Sequence, residues 1–121
     1  MIPRLFEGEL PIFSLGTNSG ASADPALIEC CVNILRESDQ SFVVDGRFKG
    51  GWITRSFGEP LRGVHALQME LACRGYMREP IGPVSPSDWP TPYDPAYPAR
   101  TRDTLRTLLQ AALAWARRPR S

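Results

Sequence analysis

The sequence predicts an α/β fold, a partial mixed sheet flanked by helices. Three observations carry that prediction. A segment with helical period, opening at Asp24-Pro25, runs into the β-branched stretch Ser41–Val44. An alternating run, Val64–Leu71, gives a further strand. The chain then closes on an amphipathic segment from Ala99 to Arg118. Strand and helix periods alternating along one chain fit a layered α/β structure. Two or three strands make a thin sheet with uncovered edges, so the stretch reads as part of a larger sheet.

The elements follow in order. Met1–Phe13 is irregular, because Pro3 and Pro11 interrupt it, yet Leu5, Phe6, Leu10, Ile12 and Phe13 need a core. Ser14–Pro25, rich in Gly, Ser, Asn and Asp, reads as a loop. Asp24 is the expected N-cap and Pro25 the first helical residue, with Leu27, Ile28, Cys31, Val32 and Leu35 on the apolar face to about Glu37. A small-residue loop feeding that N-terminus could receive an anion or simply start a helix. Asp45-Gly46 signals a turn. Gly46–Gly58 is a glycine-punctuated basic loop, with a short strand expected at Trp52-Ile53-Thr54. In Val64–Leu71, His65, Leu67, Met69 and Leu71 share one face, and Val64, Ala66, Gln68 and Glu70 the other. A helical turn is expected within 72–79. Pro80–Pro98 holds seven of the twelve prolines and is irregular. In the closing helix, Leu105, Leu108, Leu109, Ala112, Leu113 and Ala116 form the expected packing stripe.

Length and composition limit the function classes. The 121 residues suit a single domain, 1–121, able to bury roughly two-thirds of its unfolded surface. A net charge of +1 gives no electrostatic case for nucleic acid or an anionic membrane as partner. No run approaches the ~20 apolar residues of a membrane span, and the first residues lack the apolar core of a signal peptide, so a cytoplasmic location is expected. Cys30, Cys31 and Cys73 are odd in number and show no ligand spacing; free thiols are expected.

The chemistry concentrates in Gly46–Leu71. Glu70 is a carboxylate near the C-terminal end of a strand, where α/β proteins build sites. It would equally fit a structural ion pair. Arg47, Lys49 and Arg55 sit among Gly46, Gly50, Gly51 and Gly58, which permit close backbone approach. Arginines held this way can take a carboxylate in two hydrogen bonds. His65, the one histidine, cannot form a metal site alone and reads as structural.

The stretches IPRLFEG at 2–8, LGTNSGASADP at 15–25, DGRFKGGWITRSFGEP at 45–60 and GVHALQMELACRGYM at 63–77 resemble the N-formylglutamate amidohydrolases (deformylases). The stretch 93–116 is similar to that family's closing helix. The resemblance implies hydrolysis of N-formyl-L-glutamate to formate and glutamate in histidine breakdown, on a fold similar to the C-terminal half of the zinc carboxypeptidases. It implies Glu70 as general base, Arg55 and Arg47 on the substrate carboxylates, and Thr17, Asn18 and Gln68 as further substrate contacts. It also implies zinc. The family's His-Ser-Gly and Asp-x-His-Ser ligand stretches precede the position of Ile2, so no metal ligand is expected in this chain. The metal-binding half would come from a partner chain. The family's usual Thr-Arg-His-Tyr-Gly is Thr54-Arg55-Ser56-Phe57-Gly58 here, and its usual loop cysteine is Ala23. The chain is therefore expected to be the C-terminal portion of a larger amidohydrolase domain. The alternative is a non-catalytic remnant, or a module that keeps the carboxylate-binding loop.

A thin sheet with open apolar edges should leave the isolated chain marginally stable, aggregated or oligomeric. Sedimentation and thermal melting check this; a monodisperse monomer with a sharp, high melting transition would contradict it.

Overall fold

The computed structural model describes residues 8–119. Its elements are β1 (Phe13–Gly16), α1 (Pro25–Glu37), β2 (Phe42–Val44), α2 (Trp52–Phe57), β3 (Gln68–Leu71) and α3 (Ala99–Ala116). Leu5, Phe6 and nearly all of the 2–8 motif lie outside the described residues. Among the described residues the strands form a mixed sheet in the order β2-β1-β3. β1 and β2 are parallel, joined through α1, with Phe13 opposite Phe42 and Leu15 opposite Val44. β3 is antiparallel to β1, with Phe13 opposite Leu71 and Gly16 opposite Gln68. The expected α/β class is therefore observed.

The central strand falls where the sequence reading has a loop. Its four residues, Phe-Ser-Leu-Gly, are all buried, so no polar alternation marks them. Phe13 and Leu15 point to one side, where α1 and α3 pack. Phe13, Leu15, Leu27, Cys31, Leu35 and Leu108 form the core there, with Phe42, Val44, Met69 and Leu71 around them. Ser14 and Gly16 point to the other side, which they share with Glu70 and Gln68 by register.

Helix α1 starts as expected. The Asp24 carboxylate accepts from the Ala26 N–H at 2.8 Å, and Pro25 follows it. Helix α3 is fixed by polar contacts as well as by packing. Gln40 donates to Thr101 at 3.0 Å and accepts from Thr104 at 3.0 Å, which sets the height of α3 against the α1–β2 connection. Leu109 and Leu113, expected in the packed stripe, are instead 66% and 56% exposed. The helix ends at Ala116, short of Arg118.

Two further expectations change, and a third is met. Trp52-Ile53-Thr54 is not a strand but the first half of α2. The Thr54 hydroxyl donates to Gly51 O at 2.8 Å, closing the first turn, and Trp52 packs edge-to-face on Phe57 at 5.5 Å. The strand expected over Val64–Leu71 spans only Gln68–Leu71. Residues 64–66 bond elsewhere: Val64 bridges Glu59, and Ala66 exchanges hydrogen bonds with Ser22. The helical turn after β3 is one short 3-10 turn, Cys73–Gly75.

Phe13, fully buried on the central strand, should cost about 3–5 kcal/mol when changed to Ala, whereas Leu113→Ala should stay within about 0.5 kcal/mol. Urea unfolding of both variants checks the core assignment. Burial, reinforced by neighbouring Cys30, raises the Cys31 thiol from 9.0 to about 11. The folded state therefore holds this proton more tightly than the unfolded chain does. Its contribution to stability is complete below pH 9.0 and is lost as pH rises to about 11. Cys31→Ala should flatten that alkaline loss in a melting-temperature profile over the same window.

Candidate functional site

The site is built at the C-terminal end of β1. A Cβ on Gly16 would lie 2.4 Å from the backbone nitrogen of Gly50, so only glycine lets the basic loop lie against the strand. The loop is then pinned by the Asn18 N–H, which donates to Lys49 O at 2.6 Å. Gly50 takes φ +105°, and a Cβ there would strike the Thr54 hydroxyl.

Beyond Gly16 the chain turns through Asn18, Ser19 and Gly20, all in the left-handed region. Asp45 holds this turn in shape. Its carboxylate accepts from the Thr17 N–H at 2.7 Å and, in a short hydrogen bond, from the Thr17 hydroxyl. That hydroxyl in turn accepts from the Gly20 N–H at 2.8 Å. Thr17 is buried and its hydroxyl is engaged on both sides, so its role is to shape the turn. Asn18 is half-buried in the same turn.

Gln68 links the loop to Glu70. Its side-chain oxygen accepts from the Gly51 N–H in a short contact, and its side-chain nitrogen donates to Glu70 Oε1 at 2.6 Å. The order Gly51, Gln68, Glu70 is thus one hydrogen-bonded chain from the glycine loop to the carboxylate. Glu70 is exposed and lies opposite Ser14, a fully buried residue whose hydroxyl has no partner. Arg55, exposed on α2, donates to Gly50 O at 3.2 Å. Arg47 is exposed in the loop between Asp45 and Lys49. Thr17, Asn18, Arg55, Gln68 and Glu70 therefore meet around the end of β1, tied together through Lys49, Gly50 and Gly51.

A metal does not fit the described residues alone. No group of three His, Cys, Asp or Glu side chains converges among them. His65 is structural: its Nδ1 accepts from the Asp24 N–H at 3.0 Å, and its ring stands edge-on to Trp115 at 4.6 Å. The α1 N-terminus is closed by its own Asp24, so the anion pocket envisaged there is already filled. Cys30, Cys31 and Cys73 are free thiols. No helix among the described residues is long and apolar enough to cross a membrane.

Two contributors escaped the sequence reading. Asp45 looked only like a turn residue, and Gly16 like one loop glycine among several. The spacing of Asp45, just past β2 and 28 residues from Thr17, gives no local signal for their pairing. Gln68, expected as a substrate contact, is found bonded to Gly51 and to Glu70.

Comparison with known proteins gives one consistent result. The sequence pattern of the N-formylglutamate amidohydrolase family matches residues 1–77. An N-formylglutamate deformylase of Pseudomonas aeruginosa is 44% identical over 117 residues, which are 96% of this chain and 41% of that protein. One from Pseudomonas putida is 45% identical over 115 residues, 94% of this chain and 40% of that protein. The chain thus spans about two-fifths of the length of the curated relatives it matches. Among solved structures, an N-formylglutamate amidohydrolase from Ralstonia eutropha JMP134 superposes with a TM-score of 0.66 at 25% identity, covering 86% of this chain and 34% of that one.

Gln68→Leu should strand both the Gly51 N–H and a Glu70 oxygen, at a cost of about 1–3 kcal/mol. Hydrogen exchange should speed up at residues 50–54 and not at α3. Unchanged exchange in the loop would show that Gln68 does not hold it.

Proposed function

Since this chain belongs to the N-formylglutamate amidohydrolase family, we propose that it carries the substrate-carboxylate loop and the general base for hydrolysis of N-formyl-L-glutamate to formate and L-glutamate. The observation that carries the proposal is the hydrogen-bonded line from Gly51 through Gln68 to Glu70, with Arg55 of α2 bonded back to the loop at Gly50 O. Arg55, with Arg47, offers guanidinium groups suited to the two carboxylates of the substrate. Asn18 and Thr17 bound the loop from the strand side. Glu70, oriented by Gln68, takes a proton from the attacking water as the water adds to the formyl carbon. The same proton can then reach the departing amine as the C–N bond breaks, leaving formate and glutamate.

Zinc, which the family resemblance implies, has no ligand cluster among the described residues. The reading places the metal on residues that this chain does not match, carried by a partner chain or by a longer form of the protein. The reaction would serve histidine breakdown in the cytoplasm. A second reading is a carboxylate-binding module that holds glutamate-like ligands through Arg55 and Arg47 without turnover.

The experiment supplies the chain with zinc and N-formyl-L-glutamate, alone and co-expressed with the remaining portion of the Pseudomonas aeruginosa relative. Formate release in the second mixture is expected. Glu70→Gln should lower turnover by about 10²–10⁴-fold while keeping glutamate binding. Arg55→Ala should weaken that binding by about tenfold. Glutamate binding without formate release in either mixture supports the second reading; absence of both sinks the two together.

A further inference from the structure

β3 is an edge strand, and among the described residues no strand pairs with its outer side. The ladder fixes which backbone groups face outward. Phe13 N–H donates to Ser41 O and Leu15 O accepts from Asp45 N–H, so the odd-numbered residues of β1 turn to β2. Ile12 O accepts from Ala72 N–H on the other side. By register, Ser14 and Gly16 are therefore the residues that bond Glu70 and Gln68. The N–H and C=O groups of Met69 and Leu71 then point away from the sheet, and no backbone partner for them occurs among the described residues. β2 has an open edge too, but it is three residues long, and very short strands are one way sheets end.

Beside the β3 edge, on the face that carries α1 and α3, runs a half-open apolar groove of about 570 Å³. Leu67 and Met69 line it from the sheet, and Leu105, Leu109, Ala112 and Ala116 from α3. No residue of β2 lines it. Leu109 is 66% exposed although it borders the groove, while Leu108, one residue earlier, is 7% exposed. The apolar stripe of α3 is thus wider than its cover. An open strand edge and an open apolar groove lie side by side, with space for one strand in the sheet and for apolar side chains above it.

Two observations choose the occupant. A second copy of this chain is disfavoured by charge. The segment from Arg100 to Arg118 carries Arg100, Arg102, Arg106, Arg117 and Arg118 against one acid, Asp103. A twofold contact through the groove would bring two such helices together. The second observation is that this chain covers 41% of the Pseudomonas aeruginosa relative, so more than half of that protein packs beside or around the matched part. β3 is also the strand that carries Glu70, so whatever pairs with its edge comes to lie next to that carboxylate.

We propose that the β3 edge and the adjoining groove form one docking surface for the portion of an N-formylglutamate amidohydrolase that this chain does not match. A strand of that portion pairs with Met69 and Leu71, and its apolar side chains fill the groove against Leu109 and Ala112. This rests on the reading above, in which such a portion carries the metal, and adds where it attaches. Main-chain hydrogen bonds at the edge supply register, and the groove supplies apolar burial.

The test co-expresses the chain with the remaining portion of the Pseudomonas aeruginosa relative, co-purifies the two, and compares amide exchange by NMR with that of the chain alone. The Met69 and Leu71 amides should exchange freely in the chain alone and slow by about tenfold or more in the complex, whereas Glu70, already bonded to β1, should change less. Leu109→Asp, at an exposed position, should weaken association by about tenfold or more. Ile53→Asp, exposed on α2, should leave association unchanged. The wild-type exchange decides the matter even if a variant fails to fold. A complex with Met69 and Leu71 protected but no formate release supports the docking surface and counts against the catalytic reading alone. Formate release without that protection overturns the docking surface and keeps the catalytic reading. No complex, protection already present in a dimer of the chain alone, or association lost in Ile53→Asp and kept in Leu109→Asp would each overturn the proposal.

Discussion

Two backbones meet at Gly16 and Gly50 with no space for a side chain between them, and the site depends on that contact. A larger residue at position 16 would lift the loop off the end of β1. The Asn18–Lys49 hydrogen bond would open with it, and Gly51 would no longer reach Gln68. The contact is therefore what converts a strand end and a basic loop into one surface. Close backbone approach of this kind is among the few things that glycine alone permits.

The two faces of the small sheet divide the work. One face is hydrocarbon, held by Phe13, Leu15, Leu35 and Leu108, and supplies the driving force for folding. The other carries Ser14, Gly16, Gln68 and Glu70, where contacts are polar and directional. Because strand side chains alternate, four residues of β1 serve both faces at once. α3 shows the same economy. Its core-facing leucines pack, its threonines bond Gln40, and Leu109 and Leu113 remain at the surface.

Much of this was legible in the sequence where a local rule governs. The Asp24-Pro25 start of α1, the β2 run, the proline-dense segment and the span of α3 follow from capping, β-branching, ring geometry and helical period. The family resemblance reached the fold class and the functional family. What escaped was set by contacts distant in sequence. β1 is too short and too uniformly buried to show a period. Trp52-Ile53-Thr54 has strand-like composition, but Gly51 and Thr54 close a helical turn there. Residues 64–66 alternate like a strand, yet Val64 bonds Glu59, and His65 and Ala66 bond the Ser22–Asp24 turn, instead of β1. In the site, Glu70, Gln68 and Arg55 were visible as residue types, whereas the part played by Asp45 needed β2 to be placed beside β1.

Gln68 has a consequence of its own. Its amide has one oxygen and one nitrogen, and each is committed in a different direction, the first to the loop backbone and the second to the carboxylate. The amide cannot flip without losing both partners. A shift of Gly51 is therefore felt at Glu70, and a change in what Glu70 holds is felt at Gly51. By thermodynamic reciprocity, a ligand that orders the loop favours the oriented carboxylate by as much as the oriented carboxylate favours the ligand. A single side chain thus makes ligand capture and base alignment one event.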